Sequence, residues 1–273
     1  MPFVETNGVR LSYEAVGPAQ APAVLLIQGV GVGGEGWRPQ LDGLKDAHRL
    51  VAFDNRGIGA STLGTDALSI EHMAADALAV MDAAGMGSAH VVGHSMGGVI
   101  AQQLALSAPQ RVKSLSFLCT FSRGAEAMRM TWDKLVLGMR SYIGSRPSRR
   151  RAFVQMVMPD AYLASVDWEP LNQRLSQLFG RDLADQPAIN MKQLRAMSRY
   201  DASARLRSLA ELPTQVVSGA LDRIALPAYG KALAAAIPGS RYIEIPDAGH
   251  AVPIQCAEKI NTLLRDHFAA AKS

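Results

Sequence analysis

The stretch VVGHSMGG, residues 91–98, joins a predicted strand to a predicted helix. It carries the pattern Gly-x-Ser-x-Gly with Ser95 at its centre. Such a turn holds a serine hydroxyl above the edge of a sheet, and Gly93 and Gly97 leave room for the close approach of neighbouring chain segments. The start of the following helix offers free N–H groups and a positive potential to an oxyanion. Ser95 is therefore a candidate nucleophile, and a glycine-rich turn without chemistry is the alternative.

Short apolar runs alternate with helical patterns on both sides of this stretch. Buried strands are predicted at residues 23–27, 50–53, 89–92, 112–119, 214–217 and 241–245, and an amphipathic strand at residues 9–16. Helices are predicted at residues 69–84, 99–107, 227–236 and 253–268. Alternating strands and helices with short connections predict an α/β fold built on a mostly parallel, doubly wound sheet.

The alternation stops between residues 122 and 207, where apolar residues follow helical spacing. We predict a core domain formed by residues 1–121 and 208–273, with residues 122–207 inserted as a helical lid. Seven of the 12 methionines lie in the insertion, and methionine side chains form adaptable apolar walls. Trp132 and Met139 are therefore predicted substrate contacts, and packing within the lid's own core is the alternative.

Six histidines compete for the role of the base that takes the proton of Ser95. His250 follows the last predicted strand in a loop that can reach the edge of the sheet, so it is the candidate. His94 adjoins Ser95, but neighbouring side chains on a turn point apart, and we predict a packing or hydrogen-bonding role for it. The other four histidines are predicted at the surface or at helix ends: His48, His72, His90 and His267.

Four separated features together resemble the α/β-hydrolase family over nearly the whole chain. They are the glycine-rich loop after residue 27, DNRGIGAS at residues 54–61, the turn at Ser95, and Gly249-His250 near the C-terminus. The resemblance implies the α/β-hydrolase fold with a helical cap. It also implies a catalytic triad in the chain order nucleophile, acid, histidine.

The resemblance places the acid in the loop after the strand at residues 214–217, which makes Asp222 the candidate that orients His250. Asp247 competes, but it is so close to His250 in the chain that the loop would have to fold back. Some relatives carry the acid after the preceding strand, where this chain has no carboxylate (residues 119–122). Asp222 therefore remains the favoured acid.

The glycine-rich loop is the predicted source of one half of an oxyanion hole. By resemblance, the backbone N–H groups of Val30 and Met96 are the two donors. Many relatives have His-Gly where this chain has Gln28-Gly29, and both residues are predicted to lie at the substrate. The alternative is a flexible turn, and the glycine spacing does not fit dinucleotide binding.

Composition limits the classes of partner. A net charge of +4 over 273 residues, with both signs mixed, gives no case for a nucleic-acid protein. No secretory signal and no membrane-spanning run is visible, so we expect a soluble, cytoplasmic protein with no cofactor or metal. The two cysteines, Cys119 and Cys256, are predicted free thiols. The basic run at residues 146–151 is predicted to be a solvated loop, with contact to an anionic substrate or partner as the alternative, and the oligomeric state stays open.

These features predict a serine hydrolase that acts on a small molecule with a carbonyl group. Cleavage of a carboxylic ester or lactone through an acyl-enzyme on Ser95 is the leading hypothesis. A serine at this turn disfavours the halide- and epoxide-directed relatives, which use an aspartate. The alternatives are carbon–carbon bond hydrolysis of a vinylogous diketone, cofactor-free perhydrolysis, and a ligand receptor with slow turnover.

Overall fold

A computed structural model describes residues 1–271 of the chain. Eight strands form one sheet in the order β1-β2-β4-β3-β5-β6-β7-β8. Their bounds are β1 Phe3–Thr6, β2 Val9–Val16, β3 Ala23–Ile27, β4 Arg49–Phe53, β5 Ala89–His94, β6 Val112–Leu118, β7 Thr214–Gly219 and β8 Arg241–Ile245.

Six neighbouring strands of the sheet run parallel, in the order β4, β3, β5, β6, β7 and β8. Strand β2 pairs antiparallel with both β1 and β4. Residues of β3, β5 and β7 are almost entirely buried because helices cover both faces. This arrangement confirms the predicted α/β class and the mostly parallel, doubly wound sheet. Strand β1 was not predicted: it is a short, half-exposed edge strand that joins β2 through a turn in which Asn7 and Gly8 have positive φ.

The helices, in chain order, are α1 Arg38–Leu44, α2 Ile70–Ala83, α3 Met96–Ser107, α4 Gly124–Ala127, α5 Trp132–Tyr142, α6 Arg146–Val157, α7 Asp160–Ala164, α8 Trp168–Leu178, α9 Ala188–Ser198, α10 Pro227–Ala236, α11 Val252–Gln255 and α12 Ala257–Ala270. Helix α2 packs on α3, and α1 packs on α12. The predicted helix at 253–268 is in fact two helices, because the backbone at Cys256 leaves the helical region.

Helices α4 to α9 all lie between β6 and β7, within the segment predicted as a lid. Many of their apolar residues form a cluster of their own, separate from the main core of the sheet: Val154, Val157, Met158, Leu171, Leu175 and Leu183, joined by Ala251. Among the described residues, no helix is long and apolar enough to cross a membrane.

Two histidines predicted at the surface are buried instead. His48 is 6% exposed and His90 is fully buried. Their rings pack against Phe268 at centroid distances of 5.3 and 4.6 Å, and His90 Nδ1 lies 2.8 Å from Ser114 Oγ. Helix α12 covers this part of the sheet, a long-range contact that local sequence does not reveal.

Candidate active site

Ser95 occupies the turn between β5 and α3. Its φ of 54° is in the left-handed region, which only a strongly supported turn imposes on a residue with a side chain. A Cβ on Gly97 would lie 2.0 Å from the Ile27 carbonyl oxygen, so this position requires glycine. The Ser95 N–H donates to the Leu118 carbonyl at 2.9 Å, and Thr120 Oγ1 donates to the Ser95 carbonyl at 2.7 Å. The turn is thus held by the neighbouring strand β6.

Asp222 and His250 form a hydrogen-bonded pair at the carboxyl ends of β7 and β8. His250 Nδ1 lies 2.8 Å from Asp222 Oδ2. The other carboxylate oxygen, Oδ1, accepts the Ile224 and Ala225 N–H groups at 2.7 and 2.9 Å. Asp222 is 3% exposed and His250 6%. Because the carboxylate accepts from Nδ1–H, the tautomer that this bond favours leaves Nε2 able to accept a proton.

Backbone bonds join the loops that carry the pair. The Leu221 N–H donates to the Ala248 carbonyl at 2.9 Å, and the Gly249 N–H donates to Gln255 Oε1 at 2.9 Å. The Ala251 N–H donates at 3.0 Å to the carbonyl of Val157, the last residue of α6. Asp247, the competing acid, is exposed. Asp222, and not Asp247, meets His250.

The loop predicted to supply the oxyanion hole lies against the nucleophile. A Cβ on Gly29 would be 3.1 Å from the Ser95 Cβ. The N–H groups of Gly29 and Gly31 are bound by Gln28 Oε1 and Gln193 Oε1, at 3.1 and 2.9 Å. Between them lies Val30, which lines the cavity described below. Met96 is the first residue of α3, so its N–H has no acceptor within the helix.

Two side chains that the sequence analysis did not single out anchor this loop. Gln193, on α9, reaches Gly31 from 162 residues away. Asn55, in the DNRGIGAS stretch, donates from Nδ2 to the Gln28 carbonyl at 3.0 Å. The same stretch folds around Asp54, whose carboxylate accepts the Gly34 and Ala60 N–H groups. Its role is therefore to position the loop beside Ser95.

His94 lies between Gln28 and the loop that carries His250. Its Nε2 lies 2.9 Å from the His250 carbonyl oxygen, and its Nδ1 lies 3.3 Å from Gln28 Oε1. Desolvation and the neighbouring His250 ring, 4.9 Å away, lower the pKa of His94 to about 3. A carbonyl can only accept, so neutral His94 donates from Nε2. The predicted hydrogen-bonding role agrees with this position.

One set of three possible metal ligands occurs in the part of the chain that the structure describes: Cys119, Asp222 and His250, with ligand atoms within 4.8 Å of one another. Burial and the Asp222 charge raise the pKa of the Cys119 thiol well above its usual value. A protonated thiol is a poor metal ligand, and Asp222 and His250 already bind each other. The donor chemistry of this set therefore disfavours a metal.

Ser95 and His250 open onto a cavity of about 350 Å³ between the sheet edge and α4–α9, near the lower end of the usual range for ligand pockets. Gln28 and Gly29 line it as predicted, as do Met130, Met156 and Met197 from the insertion. Trp132 and Met139 are not among the lining residues.

The prediction that Trp132 and Met139 contact the substrate is therefore wrong. Trp132 is 76% exposed and Met139 50%, whereas Lys134 and Gly138 of the same helix face the cavity. Helical spacing identified the helix but not the face that it turns inward. The lining residues Lys134, Arg181, Gln186 and Asn190 were not predicted, because no local pattern marks them.

The basic run at residues 146–151 was predicted as a solvated loop, but it forms the first turns of α6, and it does not line the cavity. Arg146 and Arg150 form ion pairs with Asp182, and Arg146 also with Asp185. Arg151 stacks its guanidinium over the Trp168 ring at 4.9 Å. The run is accordingly engaged in contacts within the protein.

Comparison with known proteins agrees with this geometry. The family model described as the alpha/beta hydrolase fold matches residues 22–255. The chain belongs to the alpha/beta hydrolase family. It is a hydrolase of that family in which the turn at Ser95 and the Asp222–His250 pair occupy the carboxyl edge of the sheet.

Among curated relatives, proteins with the provisional name carbamate hydrolase RutD are similar along the whole chain. The protein from Variovorax paradoxus is 33% identical, and the match covers 95% of this chain and 96% of that protein. The one from Azorhizobium caulinodans is 30% identical over 97% of both chains.

Among solved structures, the enol-lactonase from Burkholderia xenovorans LB400 superposes with a TM-score of 0.81 at 25% identity, covering 98% of this chain and 100% of that one. A Mycobacterium tuberculosis protein with the provisional name non-heme bromoperoxidase BpoC superposes with a TM-score of 0.80 at 28% identity, over 96% and 97% of the two chains.

Proposed function

We propose that this hydrolase cleaves small carboxylic esters or lactones through an acyl-enzyme on Ser95. The observation that carries the proposal is that His250, bound to Asp222 at 2.8 Å, lines the same cavity as Ser95 in its strained turn. A serine hydroxyl is a weak nucleophile until an oriented base removes its proton, and this pair supplies that base.

In the proposed reaction, Ser95 Oγ attacks the substrate carbonyl while His250 Nε2 takes the hydroxyl proton. The N–H groups of Val30 and Met96 bind the resulting oxyanion. Collapse expels the leaving group, which takes the proton from His250. Water then attacks the acyl-enzyme with His250 again as the base, and the carboxylic acid leaves as Ser95 regains its proton.

Two structural features support the other assignments. Residues 122–207, as a lid over the core formed by 1–121 and 208–273, would exclude water from the acyl-enzyme. Neutral His94 donates from Nε2 to the His250 carbonyl at 2.9 Å, so the loop that carries the proposed base is held to the residue that precedes Ser95. A cavity whose wall is mainly apolar, with polar and basic side chains at separate positions, suits a small organic substrate.

The test compares 4-nitrophenyl acetate, butyrate and octanoate on wild type, Ser95→Ala and Ser107→Ala. Ser107 ends the same helix, is exposed, and serves as the matched control. We expect Ser95→Ala to lower kcat/KM by about a thousandfold or more, Ser107→Ala to match wild type, and a cavity of this size to favour the shorter chains. Full activity in Ser95→Ala would refute the mechanism.

A second candidate is carbamate cleavage by the same residues, favoured by the similarity to the RutD proteins along the whole chain. A carbamate carbonyl requires the same nucleophile and oxyanion donors. Wild type that turns over carbamates and no ester, with both rates lost in Ser95→Ala, would select it. Because of the similarity to BpoC, the test also includes an assay for perhydrolysis, which measures the oxidation of halide by peroxide in acetate buffer.

A further inference from the structure

Two basic side chains face the cavity, and among the described residues neither of them forms an ion pair. Lys134 and Arg181 both line it, and among residues 1–271 no aspartate or glutamate does. Both side chains are partly buried, and burial lowers the pKa of each. Burying a cation without a counter-charge costs free energy. A cavity that carries two of them is therefore expected to gain from an anionic guest.

Arg181 has the free donor. Its Nη1 donates to the Asp185 carbonyl oxygen, while its buried Nε meets no acceptor in the described part of the chain. The guanidinium lies over the rings of Phe153 and Phe179, 5.4 and 5.8 Å from their centroids. This aromatic contact orients the guanidinium plane, and an oriented fork matches a carboxylate.

The carboxylates nearest to Arg181 are committed elsewhere. Asp182 pairs with Arg146 and Arg150, and Asp185 pairs with Arg146 at 3.1 Å. Over residues 1–271, no ion pair forms at Arg181 itself. Arg181 thus has no direct counter-ion: the charges of Asp185 and Asp182 act on it only from beyond ion-pair distance, and burial still lowers its pKa.

The same cavity is lined by a second side chain with an unused donor. Gln186 follows Asp185 in the chain and lines the cavity, and its buried Nε2 has no acceptor among the described residues. Lys134 differs, because its Nζ already donates to the Ala127 and Arg129 carbonyls. Lys134 therefore adds positive potential, whereas Arg181 and Gln186 offer donors.

We propose that Arg181, assisted by Gln186, binds a carboxylate carried by the substrate, so that the preferred substrates are anionic esters or lactones. The proposal rests on the proposed acyl transfer at Ser95. It assigns a substrate class to that site. The anion-binding group is then Arg181 and not the basic run at residues 146–151, because the charges of that run are engaged within the protein.

The test uses two matched ester pairs. Mono-4-nitrophenyl adipate and methyl 4-nitrophenyl adipate differ by a charge on the acyl side, and 4-acetoxybenzoate and its methyl ester differ by a charge on the leaving group. We expect wild type to prefer the anionic member of at least one pair by about 10- to 100-fold in kcat/KM, the worth of a charge-assisted hydrogen bond. Arg181→Gln should bring this ratio close to 1, and Arg181→Lys should keep part of it.

Arg151→Gln is the matched control, since Arg151 also lies over an aromatic ring but does not line the cavity. It should retain the wild-type ratio. Removal of a structural arginine would lower the melting temperature, whereas removal of a buried cation without an ion pair at a binding site should leave it equal or higher. Equal rates on both members of each pair in wild type, or an unchanged ratio in Arg181→Gln, would overturn the proposal.

Failure of the proposed function gives a different result, namely no turnover of any ester, neutral or anionic. In that event the subsite is tested by binding alone, with 4-acetamidobenzoate and 4-acetamidobenzamide on Ser95→Ala protein. A thermal shift with the carboxylate only, which disappears in Ser95→Ala/Arg181→Gln, supports the subsite. The absence of a shift, or equal shifts with both compounds, overturns it.

Discussion

Asp222→Asn separates the orientation of His250 from the folding of the loop that holds it. Asp222 Oδ1 accepts two backbone N–H groups, and Oδ2 faces His250 Nδ1 at 2.8 Å. The oxygen of an asparagine can keep the two backbone bonds, so the loop is expected to stay in place. The amide nitrogen then faces His250 and donates to Nδ1. This selects the tautomer with the proton on Nε2, which cannot accept a proton from Ser95.

The expected loss is about 10⁴-fold in kcat, the effect of imposing the wrong histidine tautomer on such a triad. At 1.36 kcal/mol for each factor of ten, this is about 5 kcal/mol of transition-state stabilisation. KM should change little, because Asp222 does not line the cavity. The fall in kcat at near-constant KM is the signature of a group that acts in the transition state.

The assay is steady-state hydrolysis of 4-nitrophenyl acetate, with circular dichroism to confirm folding. Asp247→Asn is the matched control, because Asp247 is exposed, lies near His250 in sequence and was the competing acid. It should leave kcat unchanged. If Asp222→Asn kept more than a tenth of wild-type kcat, or if Asp247→Asn lost as much, the assignment of the acid would be wrong.

The remaining predictions concern stability. His94 should take a proton near pH 6.5 in the unfolded chain but only near pH 3 when folded. The unfolded state then binds more protons between these values, and the free energy of unfolding rises with pH across this window and levels off above it. Urea titrations at pH 4.5 and 7.5 should show a smaller difference for His94→Gln than for wild type, and an equal difference would contradict the reasoning. Asp76→Asn should cost about 3–5 kcal/mol, because it leaves Arg56 buried without its partner. The control is Glu35→Gln in the partly exposed Glu35–Arg38 pair, which should cost less than about 1 kcal/mol, and similar urea midpoints for the two variants would count against this account.

The sheet and the turn at Ser95 could be predicted because their signals are local. Continuous apolar runs mark strands that are buried on both faces. The glycines around Ser95 are required because a Cβ there would collide with residues of the turn itself or of the adjacent strand. His250 and Asp222 follow strands in the chain order of the resembled family, and parallel strands bring such loops to one edge.

The lining of the cavity depended on tertiary structure. The helical pattern of α5 did not indicate which side faces inward, so Trp132 and Met139 were predicted at the substrate, and Lys134 was not. Gln193 binds Gly31 across 162 residues. Arg181 lines the cavity without an ion pair, whereas Arg146 and Arg150 pair with Asp182.

The sequence by itself determined the α/β fold and the turn at Ser95, since these follow from periodicity and glycine spacing. The proposed triad of Ser95, Asp222 and His250 came from the chain order of the resembled family. The packing of α4–α9 on the sheet decided which charges face the cavity. Charge compensation between side chains distant in sequence is a property of the folded arrangement, and no local pattern encodes it.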